Sequence, residues 1–151
     1  MQYFKYQQVV EAGPDGRTLR VVFGESAETK EKVGIELATV DGVTYISLPD
    51  GETLPPQHPE LVVEPVDLTE ELVAAIKGQS SFCRMISEQM IEKIRQRYST
   101  DDEAYFARIG VGAALGVYEF APGEREQLLA FVAFVESVRQ WGREQRASIG
   151  L

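Results

Sequence analysis

Covalent or proton-transfer chemistry needs a nucleophile and a base that the chain can bring together, and here both types are scarce. The 151 residues hold one His, His58, and one Cys, Cys83. A single Cys excludes an intrachain disulfide framework and a Cys-based zinc or iron–sulfur cage, and one His beside it excludes a His-rich metal centre. Cys83 stands between Phe82 and Arg84 in an apolar helical pattern and reads as a buried, inert thiol. His58 stands in Pro55-Pro56-Gln57-His58-Pro59, an extended and exposed setting far along the chain from Cys83. The two residues do not suggest a nucleophile and its base.

Other motifs fall short in similar ways. Gly24-Glu25-Ser26-Ala27-Glu28 begins like a nucleophile elbow, but the fifth residue is Glu28 where Gly is needed. Gly110-Val111-Gly112-Ala113-Ala114-Leu115-Gly116 imitates a dinucleotide-binding loop, yet its third Gly comes one residue late. The stretch before it, Asp101 to Arg108, also reads as helix rather than strand. A helix with small residues for close packing, or a helix end with a glycine cap, fits better. Pro56-Gln57-His58-Pro59 meets the minimal polyproline pattern without an adjacent Arg and reads as linker.

Three acidic groups, Asp101/Asp102/Glu103, Glu70/Glu71 and Glu124/Glu126, could serve general acid–base work if the fold made them converge. Each stands at an expected helix start, where acids stabilise the N-terminus without any catalysis. No run matches the calcium-loop pattern. The sequence therefore assigns no catalytic, cofactor-binding or metal-ligating residue. An enzyme or ligand-binding domain built from converging carboxylates stands as the alternative reading.

The elements that would position such groups change character midway. Gln2 to Val10 and Arg17 to Phe23 read as strands joined at Gly13-Pro14-Asp15-Gly16, a hairpin. Gly24 to Lys32 is polar and reads as a loop or short helical turn. Val33 to Val40 alternates, with Val33, Ile35, Leu37 and Thr39 on one face. Asp41-Gly42 then leads into Val43 to Leu48, the preferred type I′ hairpin turn. Pro49-Asp50-Gly51 is the next turn. Residues 52–66 carry four Pro and read as a connection.

From Asp67 the period becomes helical. Asp67 with Glu70 follows the logic of a capping box. Ser80 or Ser81 caps a second helix in which Phe82, Met85, Ile86, Met90, Ile94 and Tyr98 recur at steps of three and four. Ser99 to Glu103 opens a third helix, and Ala121-Pro122-Gly123-Glu124 opens a fourth. In the last helix Leu128, Phe131, Val132, Val135 and Val138 form one stripe, which Phe134 and Trp141 widen. A stripe that wide implies burial against more than one neighbour.

The net charge of −9 is uneven: 5 basic and 11 acidic side chains in residues 1–66, against 10 and 13 in residues 67–151. An acidic field disfavours nucleic acid and anionic lipid. The cluster Lys93, Arg95, Arg97 follows Glu88 and Glu92 by one turn and reads as a solvated, ion-paired face. Arg139 and Arg143 would have to join that cluster to make one nucleic-acid patch. No run approaches the ~20 apolar residues that cross a bilayer, and residues 1–6 lack the pattern of a secretory signal. The expectation is a soluble cytoplasmic protein, or a virion-associated one if phage-encoded. There is no Asn, and Arg outnumbers Lys 10 to 5, a bias that points to a GC-rich genome.

Ile94-Arg95-Gln96-Arg97-Tyr98-Ser99-Thr100-Asp101-Asp102-Glu103, followed by Glu136 to Gln145, resembles the C-terminal part of small proteins encoded near tail genes of tailed bacteriophages and prophages. Those proteins carry a similar I-R-x-x-Y-S-x-x-D/E helix start and a closing helix with aromatic and Arg residues. The resemblance covers residues 70–151, and the Gly110–Gly116 stretch departs from it. It implies a virion component or a tail-assembly accessory, neither of which needs a catalytic site.

Together these readings give an α+β fold, an N-terminal antiparallel β meander followed by a C-terminal bundle of three to four helices. The expected parts are a β-rich half (1–51), a Pro-rich connection (52–66) and a helical half (67–151). A β half of this size is marginal alone and should rest on the helices or on another chain. The expected function is non-catalytic contact with a protein partner or a second copy, without cofactor or membrane. The candidate interaction face is Phe131, Phe134, Val138, Trp141, Arg139 and Arg143, since aromatic and Arg side chains dominate binding hot spots.

Overall fold

A computed structural model describes residues 1–10, 16–26 and 31–151. In chain order the elements are β1 (Gln2–Gln7), β2 (Val9–Val10), β3 (Thr18–Leu19), β4 (Gly24–Glu25), β5 (Lys32–Val33), β6 (Ile35–Val40), β7 (Val43–Leu48) and β8 (Glu64–Pro65). The helices are α1 (Glu70–Gln79), α2 (Ser81–Arg95), α3 (Thr100–Ala114) and α4 (Glu124–Ala147). The fold is α+β, an N-terminal antiparallel sheet followed by helices. Residues 13–15 of the expected first turn and 27–30 of the polar stretch lie outside the described residues. The flanking segments pair: Val9 lies opposite Leu19, and Gly24 opposite Val33.

The chain forms two compact units, Met1–Arg84 with Ala147–Leu151, and Met85–Arg146. Their boundaries fall within α2 and α4 rather than at the Pro-rich segment. The reason lies in the first unit, where α1 and the C-terminal residues bury their apolar side chains on the sheet.

In that unit the main sheet runs β6-β7-β1-β8. The first strand is inserted beside β7, from Gln2 opposite Leu48 to Gln7 opposite Val43. Asp41 (φ 50°) and Gly42 (φ 80°) both take positive φ at the β6–β7 turn, as a type I′ hairpin requires. The alternation expected along β6 breaks at a bulge between Glu36 and Ala38. The extra residue lets the adjacent Leu37 and Ala38 join the same apolar cluster, which strict alternation would place on opposite faces.

Each face of the sheet has its own apolar cluster. Tyr6, Val21, Ile46 and Leu61 form one, joined by Leu54 and Val63. Residues 52–66 therefore contribute to the core as well as connecting, and β8 places Pro65 on an edge, where its missing N–H costs no ladder bond. The other cluster joins Leu37, Ala38, Ile76 of α1 and Ile149 near the C-terminus. Tyr3 Oη donates to Gly150 O at 2.8 Å and Ser47 Oγ to Ile149 O at 2.9 Å, fastening the tail to the sheet.

Helix ends follow side-chain chemistry closely. The first cap is Thr69 rather than Asp67: Thr69 Oγ1 accepts from Leu72 N at 3.2 Å. Val66 N donates to Tyr3 O, which keeps that segment extended beside β1 and delays the helix start. Ser80 ends α1 through its backbone and caps α2 through Oγ, which accepts from Cys83 N. Ser99 and Asp102 make a full capping box on α3.

The Gly-rich stretch is the end of α3. Gly116 (φ 70°) donates to Ala113 O and Val117 N to Gly112 O, the paired bonds of a Schellman cap. A Cβ on Gly112 would lie 2.8 Å from Tyr118 Cβ, so small size is needed there as well.

Gly34 gives the sharpest test of this packing. At φ 108°, a Cβ there would strike Leu48 and lie 2.8 Å from Phe23 Cδ1. Gly34→Ala is expected to cost about 2–4 kcal/mol in urea unfolding, strain and overpacking combined. Gly51→Ala, at φ 85° in open space, should cost about 1 kcal/mol. Equal effects would contradict the close approach.

Candidate functional site

The aromatic residues of α4 face their own unit. Phe131 stacks on Phe106 at 5.0 Å, and the Tyr98 ring stands edge-on to Phe131 at 5.0 Å and tilted to Phe134 at 5.7 Å. Val138 is buried. Trp141 is half-buried, with Lys93 Nζ 4.7 Å over its ring. Gly142 lies so close to Met90 that a Cβ would collide with the sulfur. Of the six sequence candidates, Phe131, Phe134, Val138 and Trp141 are thus turned inward or shared, while Arg139 and Arg143 are exposed.

Most of the basic side chains are engaged locally. Arg97 lies 4.7 Å over the Phe134 ring. Arg95 pairs with Glu103 at 2.7 Å, across to α3 rather than with Glu88 or Glu92 on its own helix. Arg143 pairs with Glu136 one face along α4, holding that carboxyl below its ordinary range. Arg146 donates to Ser87 Oγ at 3.0 Å and has no carboxylate partner among the described residues. Arg139 makes no hydrogen bond or ion pair among them.

What the second unit leaves open is a groove of about 630 Å³ between α2, α3 and α4. Its walls are mainly Met90, Ile91, Ile94, Phe131, Val132 and Val135. Glu103, Glu136, Arg139 and Arg146 stand around its rim. Sequence patterning placed these apolar side chains, Ile91 apart, on helical stripes. It could not show that three helices fail to cover them, because that depends on where α3 ends and the chain turns.

A second cluster was not visible in the sequence. Glu124, the first residue of α4, accepts from Tyr105 Oη, from Tyr118 Oη at 2.8 Å and from Ala121 N at 2.7 Å. Its start-of-helix position was legible; the two tyrosines arriving from α3 and the following turn were not. The hydrogen bonds from Tyr105 first, then from Ala121 and Tyr118, hold the Glu124 carboxyl below its usual range. Glu124 in turn raises Tyr105 to about 12 and pushes Tyr118 up. This arrangement joins α3, the turn and α4.

The remaining candidates separate. His58 is exposed and its Nδ1 accepts from Glu60 N, while Cys83 is buried. Gln57 binds both the N–H and the carbonyl of Val22, tying the polyproline-like segment to the first unit. Ala27 and Glu28 of the elbow-like motif lie outside the described residues. Among the described residues no three of His, Cys, Asp or Glu are placed to hold a metal, and no helix is long and apolar enough to cross a membrane.

The Tyr–Glu cluster makes a pH prediction of definite sign. Glu124 is depressed in the folded chain, so its contribution is present above its unfolded value and is lost as pH falls through the lower folded one. Tyr105 is raised, so its contribution is complete below ~10 and is lost as pH rises through about 12. Absorbance titration at alkaline pH should show late phenol ionisation in the native chain. Glu124→Gln should bring both tyrosines back toward ordinary values; an unchanged titration curve would contradict the cluster.

Comparison of the chain with family models, curated proteins and solved structures finds no match.

Proposed function

We propose that the chain is a non-catalytic interaction protein whose second unit contacts a protein partner, in the virion or tail-assembly class that its helical half resembles. The observation that carries this reading is the apolar surface of that unit. Ile91, Val111, Leu115, Val117, Leu129 and Val132 are 52–79% exposed. Isolated exposed apolar residues are ordinary on any protein. Here Ile91 and Val132 border one groove, and Leu129 lies one turn before Val132 on α4. The aromatic rings beneath make the groove floor stiff, which lowers the ordering cost of association.

The direct test is the paired variant Leu129→Asp/Val132→Asp in cells that produce the protein with its natural neighbours. Both side chains are exposed, so the fold should change by less than ~1 kcal/mol. The wild-type chain is expected in a high-mass assembly by native fractionation and quantitative mass spectrometry, tail or baseplate proteins being the expected companions. The variant should fall out of that assembly while keeping its circular dichroism. A variant that remains assembled, or a wild-type chain found only as a free monomer, would overturn the proposal.

A further inference from the structure

The groove between α2, α3 and α4 has a definite length and polarity. Its lining on α4 runs from Phe131 to Arg146, and at about 1.5 Å per residue this is roughly 22 Å, four turns of helix. On α2 the lining residues Ser87, Met90, Ile91 and Ile94 follow a helical stripe. The groove therefore offers two ridges with an apolar floor between them, the form into which an amphipathic helix is laid. Ile91 and Val132 on its lips are 58% and 52% exposed. A compact small molecule on the floor would leave those lips wet, whereas a helix spanning the ridges covers them.

Charge around the rim distinguishes among occupants. Glu103 is matched by Arg95 and Glu136 by Arg143. Arg139 and Arg146 have no carboxylate within ion-pair distance among the described residues, although Arg139 lies near enough to Glu136 to help stabilise its charge. The rim thus offers two arginines that no carboxylate pairs, on a chain whose net charge is −9. Two copies of the chain, each at −9, repel one another overall, which opposes self-association. The two arginines stand seven residues, about two turns, apart on α4.

We propose that this groove receives one amphipathic helix of a different protein, about four turns long, with an apolar stripe over Ile94, Phe131 and Val135 and two acidic side chains opposite Arg139 and Arg146. The helix lies with its C-terminal turn at Arg146, where the negative end of its dipole adds to the acid. This rests on the interaction reading above and specifies its partner.

Fluorescence anisotropy on the full chain tests it with two labelled synthetic helices of about four turns. Both carry one Leu stripe; one has Glu and the other Lys at two positions seven residues apart toward the C-terminus. The Glu helix is expected to bind saturably and about tenfold more tightly than the Lys helix, with the difference shrinking as salt is raised. Arg139→Glu, at an exposed side chain without a hydrogen bond, should erase most of the preference, and Arg139→Glu/Arg146→Glu should reverse it. Val132→Asp should abolish binding of both helices. Equal binding of the two helices, or none, would overturn the proposal. So would a concentration-dependent dimer that Val132→Asp dissolves, or displacement by a long-chain fatty acid without helix binding. If neither helix binds while the Leu129→Asp/Val132→Asp chain still leaves its native assembly, the helical occupant fails and the interaction reading stands.

Discussion

The C-terminal residues are tied to the sheet formed by the N-terminal strands, and that tie organises the chain. Ile149 is 7% exposed over the sheet, and Ser47 and Tyr3 hold the carbonyls of Ile149 and Gly150. Burial of one Ile side chain contributes about 2–3 kcal/mol and each net hydrogen bond about 1 kcal/mol, so the contact is worth roughly 4 kcal/mol. Against a total of about 5–15 kcal/mol for a domain, that is a substantial share. Removing the tail would also leave the buried Ser47 hydroxyl without this partner. The second unit, residues 85–146, is in consequence an excursion whose two chain ends both belong to the first.

The two units differ in how completely they cover themselves. In the first, both sheet faces carry apolar clusters, one under the short strands and the Pro-rich segment, the other under α1 and the tail. In the second, α3 stops at the Schellman cap after Ala114, and Val111, Leu115 and Val117 remain exposed around it. The aromatic rings at its centre fix how the helices meet, and Tyr105 and Tyr118 converging on Glu124 fix the turn. A rigid frame with an unfilled groove is suited to binding, and convergent chemistry was not found elsewhere among the described residues.

Local signals in the sequence read well because they depend on a few adjacent residues. The Asp41-Gly42 turn, the Ser99 capping box and the glycine end of α3 are each settled within a turn or so of chain. The misplaced cap at Asp67 shows the limit of such rules: Val66 is bonded to Tyr3, distant in sequence, Leu68 packs on the sheet cluster, and the helix is capped only at Thr69. The bulge at Leu37 and the insertion of β1 beside β7 likewise depend on partners that periodicity does not reveal. The stripe on α4 was visible, but its division between an aromatic face turned inward and an aliphatic edge left exposed was not. Phe131 and Val132 are neighbours in sequence, yet Phe131 packs on Phe106 and Tyr98 while Val132 is exposed.

The proposed contact through the second unit, rather than through the sheet, is open to direct measurement. Hydroxyl-radical footprinting of the chain in its native assembly, against the isolated chain, reads side-chain exposure directly. The expected result is loss of labelling at Met90, Ile91, Leu129 and Val132, with Tyr45 and Val62 of the first unit unchanged. Protection confined to the first unit, or identical labelling in both states, would contradict it.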